Sequence, residues 1–140
     1  MSQENVEIVR AGFAAWNAGD MDAVGELLAD DVVLRLPEGW PEPGPYVGRE
    51  AVMRQWEQNR DTWDADSVEP ISDFMDLADH TVVRVIWRTA GRGPESNIEF
   101  TIVYTVRKGR ISLIEYFWDH AEVLETLGLS EQDAHADSSA

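Results

Sequence analysis

The chain contains no cysteine. Disulfides, thiolate catalysis and zinc–thiolate sites are therefore excluded. Positive charge is scarce too: 11 Lys and Arg stand against 27 Asp and Glu, for a net charge of −16. A field of that sign repels phosphate backbones and anionic lipid, so neither nucleic acid nor a membrane surface is an expected partner. Solubility is the plainer use of such a charge. Histidine is sparse, and His80, His120 and His135 stand at no metal-ligand spacing. No metal site is expected. Gly91-Arg92-Gly93 is too short for a phosphate loop, and no cofactor is expected. No apolar run reaches membrane-spanning length. Met1-Ser2-Gln3-Glu4-Asn5 has neither a basic region nor an apolar core. A signal peptide is not expected, and a cytoplasmic protein is the default expectation.

What the chain does have is length for one domain and an unusual load of rings. Its 140 residues include six tryptophans, which suit a core or pocket with large flat walls. Val6, Val9, Phe13 and Trp16 recur at helical spacing behind a Ser2 cap. Gly19 ends that helix. Asp20 caps a second one carrying Met21, Val24, Leu27 and Leu28, which Asp30-Asp31 closes. Val32 to Leu36 reads as a short strand, and Pro37 to Gly48 as a Pro- and Gly-rich loop around Trp40 and Tyr46. A third helix, Arg49 to Trp63, carries Val52, Trp56, Asn59 and Trp63 on one face. Ser67 to Leu77 reads as a strand broken early by Pro70, followed by the turn Ala78-Asp79-His80. Three strands follow, Thr81 to Ala90, Asn97 to Arg107 and Arg110 to Trp118. Their turns are Gly91-Arg92-Gly93-Pro94 and Lys108-Gly109. Asp119 and Glu122 mark the start of a last helix, docked by Leu124 and Leu127 and ended by Gly128. The domain is expected to cover 1–129, with 130–140 a disordered acidic tail.

Helices first and a twisted antiparallel sheet last imply a cone-shaped α+β fold that encloses a pocket. Strand alternation gives the last three strands two faces. Val83, Val85, Trp87, Phe100, Ile102, Tyr104, Val106, Ile114, Tyr116 and Trp118 form the aromatic, concave one, to be covered by the first and third helices. Arg84, Ile86, Arg88, Glu99, Thr101, Val103, Thr105, Leu113, Glu115 and Phe117 form a mixed face. That composition suits a homodimer interface, with Arg84 and Arg88 able to meet Glu99 or Glu115.

Five passages carry a resemblance: Trp16-Asn17-Ala18-Gly19-Asp20-Met21-Asp22, Leu28-Ala29-Asp30-Asp31-Val32, Gly48-Arg49-Glu50-Ala51-Val52, Lys108-Gly109-Arg110-Ile111 leading to Tyr116-Phe117-Trp118-Asp119, and Leu127-Gly128-Leu129. Together they resemble the SnoaL-like branch of the nuclear transport factor 2 fold superfamily over residues 3–129. This fold hosts isomerases, cyclases, hydrolases, dehydratases and inert binding domains, so the resemblance implies no one activity. Ketosteroid isomerases of this fold use a carboxylate base, a tyrosine and a protonated aspartate. The resemblance puts the base near Leu36, the tyrosine near Gly12 and the aspartate near Ile102, so all three roles are empty. The cyclases' aspartate on the last strand is matched by Tyr116. The Arg-x-Asp pair of limonene-type epoxide hydrolases is not supplied by Arg84-x-Ile86 or Arg88-x-Ala90.

The chemistry candidates are few. Tyr116 can serve as a general acid or donor to a bound carbonyl, or simply as a pocket wall. Asp119 is a rim carboxylate or a helix cap. Glu38 is a substitute base or a solvated loop residue. Asn59 is a polar anchor for a ligand or a partner for backbone groups on the inner side of the third helix. The expected pocket is lined by Phe13, Trp16, Trp56, Asn59, Trp87, Phe100, Ile102, Tyr104, Ile114, Tyr116 and Trp118. It would take a small apolar ligand, flat or cyclic. Cofactor-free acid–base isomerisation, cyclisation or hydrolysis is one use for it. A non-catalytic ligand-binding domain and a structural dimer are the others.

Overall fold

The computed structural model describes residues 2–40, 44–62, 65–77, 80–91 and 96–127. Helix α1 (Ser2–Ala18) starts at Ser2 itself and buries Val6, Val9 and Phe13, the stripe its periodicity predicts. Gly19, with φ +77°, reverses the chain, and the Asp20 carboxylate accepts from the Ala23 N–H at 3.1 Å to cap α2 (Met21–Glu26). Strand β1 (Leu28–Arg35) follows at once, so Asp30-Asp31 does not close the helix. The pair is exposed on the strand, where Asp30 meets Arg49 at 2.9 Å. The Pro/Gly loop ends in a two-residue strand, β2 (Tyr46–Val47), before α3 (Arg49–Thr62).

The expected strand from Ser67 to Leu77 is two strands, β3 (Ala65–Pro70) and β4 (Met75–Leu77). Both pair antiparallel with the long β5 (His80–Ala90). Pro70 has no N–H with which to continue the ladder, and the chain leaves it there. Strands β6 (Ser96–Arg107) and β7 (Arg110–Phe117) form a hairpin through Lys108 and Gly109, with φ +54° and +76°. Positive φ at both positions matches the twist of tight hairpins. Helix α4 (His120–Thr126) closes the described chain, capped by Asp119. The calls on Trp63, Ala78-Asp79, Arg92-Gly93-Pro94, Gly128-Leu129 and the tail with His135 lie outside the described residues.

The sheet order is β2-β1-β7-β6-β5-β3, with β4 also on β5. Among the described residues, only the β1–β7 pairing is parallel. The fold is α+β, with helices α1 and α3 packed on one face of a curved, mostly antiparallel sheet. That face holds Val83, Val85, Phe100, Ile102, Val106 and Ile114, the aromatic set expected from alternation. The opposite face is not left to a partner along its whole length. Helix α4 lays Val123 against Val82 and Val103, with Met75, Leu77, Phe117 and Leu127 around them. Arg84 bonds Thr101 Oγ1 and the Trp118 carbonyl, each at 3.0 Å, and reaches Glu99 at 4.0 Å. Arg88 pairs with Glu69, not with Glu99 or Glu115.

Candidate functional site

Between α1, α3 and the concave face lies a cavity of about 90 Å³. Helix α1 contributes Val9, Gly12, Phe13 and Trp16 to its wall, and α3 contributes Gln55, Trp56 and Asn59. The sheet contributes Trp87, Phe100, Ile102, Tyr104, Ile114 and Tyr116. Inward residues of adjacent strands share one row: Tyr104 pairs with Ile114, and Ile102 with Tyr116. The last wall is Trp40, from the stretch after β1. Its ring centroid lies 5.1 Å from Phe100, 5.2 Å from Tyr116 and 6.4 Å from Trp87.

The two tyrosines are the polar centre. Both side chains are partly buried against the core, and burial pushes both hydroxyls above the ordinary tyrosine range. For Tyr104 the nearness of Tyr116 adds to the rise. For Tyr116 the nearby Trp56 side chain partly offsets it. Both groups stay neutral at physiological pH and can act as donors. Gln55 and Asn59 make no side-chain hydrogen bond among the described residues. No carboxylate or imidazole is among the described lining residues.

A second polar group lies behind the wall. The Asp66 carboxylate is 3% exposed and forms an ion pair with Arg60 at 3.2 Å. Its other oxygen accepts from the indole N–H of Trp16 and from that of Trp87, each at 3.1 Å. Arg60 also donates to the Trp16 carbonyl at 3.0 Å and lies over the Trp16 ring. Trp16 in turn meets Trp56 edge-on at 5.7 Å.

The structure brings ten of the eleven expected pocket residues into one wall: Phe13, Trp16, Trp56, Asn59, Trp87, Phe100, Ile102, Tyr104, Ile114 and Tyr116. Trp118 is not among them. Strand β7 ends at Phe117, and Trp118 lies at the rim, 38% exposed, 5.2 Å from Trp40. Its indole donates to the Glu38 carbonyl at 2.8 Å. Asp119, the other catalytic candidate, is outside the cavity, and its carboxylate accepts from the Ala121 N–H at 2.9 Å. Sequence reasoning missed Gln55, Trp40 as a wall, and the Asp66–Arg60 pair. Alternation was the signal for Asp66: it stands two residues from Val68, whose strand partner is the inward Trp87.

Residues 9–114 match the SnoaL-like domain. The chain belongs to the SnoaL-like domain family. Solved structures agree on the nuclear transport factor 2-like fold. A putative polyketide cyclase from Sinorhizobium meliloti is 27% identical, with a TM-score of 0.66, covering 79% of this SnoaL-like chain and 93% of its own. TerC, co-crystallised with polyporic acid, is 21% identical with a TM-score of 0.72, covering 89% of this chain and 98% of its own. A Mycobacterium tuberculosis protein solved in complex with estradiol-17β-hemisuccinate is 18% identical with a TM-score of 0.72, covering 84% and 95%. No curated protein matches the sequence. Among the described residues of this SnoaL-like chain, no helix is long and apolar enough to cross a membrane.

Proposed function

We propose that this SnoaL-like domain binds an uncharged, flat, largely apolar ligand in the cavity and holds a ligand oxygen with Tyr116 and Tyr104. One observation carries the reading: an apolar wall with two neutral tyrosine hydroxyls and no described lining carboxylate or imidazole. Such a wall offers donors to a carbonyl but no base to remove a proton. Binding is therefore better supported than acid–base turnover, and no cofactor enters the reading. The ligands named for two structural neighbours, polyporic acid and estradiol-17β-hemisuccinate, share the ring systems of such a ligand, but each also carries an acid group, for which the described lining residues hold no cation. The cavity is small beside the roughly 300–1,000 Å³ of drug-sized sites, so a ring system enters only if Trp40 yields its place.

The test uses 1-tetralone and tetralin, which share a bicyclic frame and differ in a carbonyl. The wild type is expected to bind the ketone about tenfold more tightly, the worth of one good hydrogen bond in a dry site. The bound C=O stretch should move to lower frequency. Tyr116→Phe should weaken both effects, and Tyr104→Phe added to it should erase them. Equal affinities and an unshifted stretch would reject the carbonyl role. Absence of any binding would reject the site.

We also propose a homodimer, through the part of the mixed face that α4 leaves accessible. Leu113 and Phe117 are only partly covered there, beside the Arg35–Glu115 pair. Sedimentation velocity at micromolar concentration should give a dimer that Phe117→Asp dissociates. A wild-type monomer would remove the proposal.

A further inference from the structure

Asp66 does not line the cavity, yet it is bonded to two of the residues that do. A single carboxylate oxygen receives the N–H of Trp16, from the end of α1, and of Trp87, from β5. The other oxygen is held by Arg60, from the end of α3. Four elements thus meet at one buried carboxylate. An indole ring with a bonded N–H cannot turn over or slide without breaking that bond. Charge-assisted bonds of this kind are about twice as strong as neutral ones, and burial strengthens them further. The restraint also reaches a third ring, because Trp16 packs edge-on against Trp56 at 5.7 Å. One carboxylate therefore sets the angle of two walls.

We propose that Asp66 is the positioning residue of the ligand slot: by holding both indoles on one oxygen it fixes two flat walls, and the slot selects planar ligands over rounded ones of similar size. This rests on reading the cavity as a ligand site. Rigid indole faces reward a guest that lies flat on them, since dispersion falls off within an ångström of lost contact. If the rings can turn, they fit a rounded guest nearly as well.

Calorimetry with 2-naphthol and 1-adamantanol provides the test. Both are ten-carbon alcohols with one hydroxyl for the tyrosines, and they differ in shape. The wild type is expected to favour 2-naphthol by about tenfold or more. Asp66→Asn keeps an acceptor oxygen but turns an amide N–H₂ toward Arg60, so the indole bonds weaken. The preference should shrink to about threefold or less. Of the six tryptophan indole N–H resonances, those of Trp16 and Trp87 should shift together. Asn17→Ala is the structural control. The Asn17 side chain joins the same end of α1 to β3 through both backbone groups of Val68, at 2.9 and 3.0 Å, and takes no part in the Asp66 bonds. It should lower the melting temperature and leave the preference intact. If Asp66→Asn keeps the wild-type preference, or if Asn17→Ala loses it equally, Asp66 is merely structural and the proposal falls. If the two probes bind the wild type equally, the ligand site stands and the positioning role falls. If neither binds, the ligand site falls and takes this proposal with it.

Discussion

Replacing Asp66 with leucine should cost about 3–5 kcal/mol of folding stability, the range for breaking a buried ion pair from one side. Leucine removes the acceptor of two indole N–H groups and leaves the Arg60 charge without its partner. Each orphaned buried donor by itself costs on the order of 1–3 kcal/mol. Domains of this size hold roughly 5–15 kcal/mol in all, so the variant should still fold but melt far lower. Urea unfolding measures the loss directly. Arg60→Met on top of Asp66→Leu should recover part of it, because an apolar pair replaces a stranded charge. A loss below about 1 kcal/mol would mean that the indoles find other acceptors and that the pair contributes little.

That carboxylate also shows where the sequence was readable and where it was not. Features set by local chemistry could be read directly. The α1 stripe follows from 3.6-residue periodicity, and the caps at Asp20 and Asp119 from short side chains that reach the next turn's N–H groups. The Lys108-Gly109 turn and the inward set of β5, β6 and β7 follow from turn chemistry and alternation. Features set by distant partners could not. Asp30-Asp31 carries the look of a helix terminus, but parallel pairing with β7 draws β1 back to Leu28. Asp66 looks like one acid among many in an acidic chain. Only the meeting of Trp16, Trp87 and Arg60, from elements 21 to 50 residues away by the tryptophans, separates it from its neighbours. Trp118 obeys the alternation of β7 but falls one residue beyond the strand's end, where alternation no longer sets direction. The part of the mixed outer face that α4 covers was not legible either, because a seven-residue helix gives little warning that Val123 will lie against Val82 and Val103.

The domain should show no ketosteroid isomerase activity. Gly12, Leu36 and Ile102, the positions matched to that enzyme's tyrosine, base and second acid, all line the cavity. These three residues offer neither a base nor an oxyanion donor at the positions where the resemblance expects them. Tyr104 and Tyr116 change the argument without reversing it. They can donate to a steroid carbonyl, so the oxyanion side of the reaction is partly supplied from other strands. The base is not. A base must come within about 2.6–3.2 Å of the proton it removes. No carboxylate or imidazole is among the described lining residues. Glu38 is exposed, and its backbone carbonyl is held by the Trp118 indole. Asp66 faces away into two indoles and a guanidinium. A positioned base is worth roughly 10²–10⁴-fold in rate, and without one the remaining donors bind the ketone without shifting its proton. A Δ5-3-ketosteroid incubated with the domain should conjugate no faster than in buffer, while its carbonyl stretch still reports binding. Turnover above buffer that Glu38→Gln abolishes would show that the loop brings its carboxylate inward, and would overturn the assignment of this cavity to binding alone.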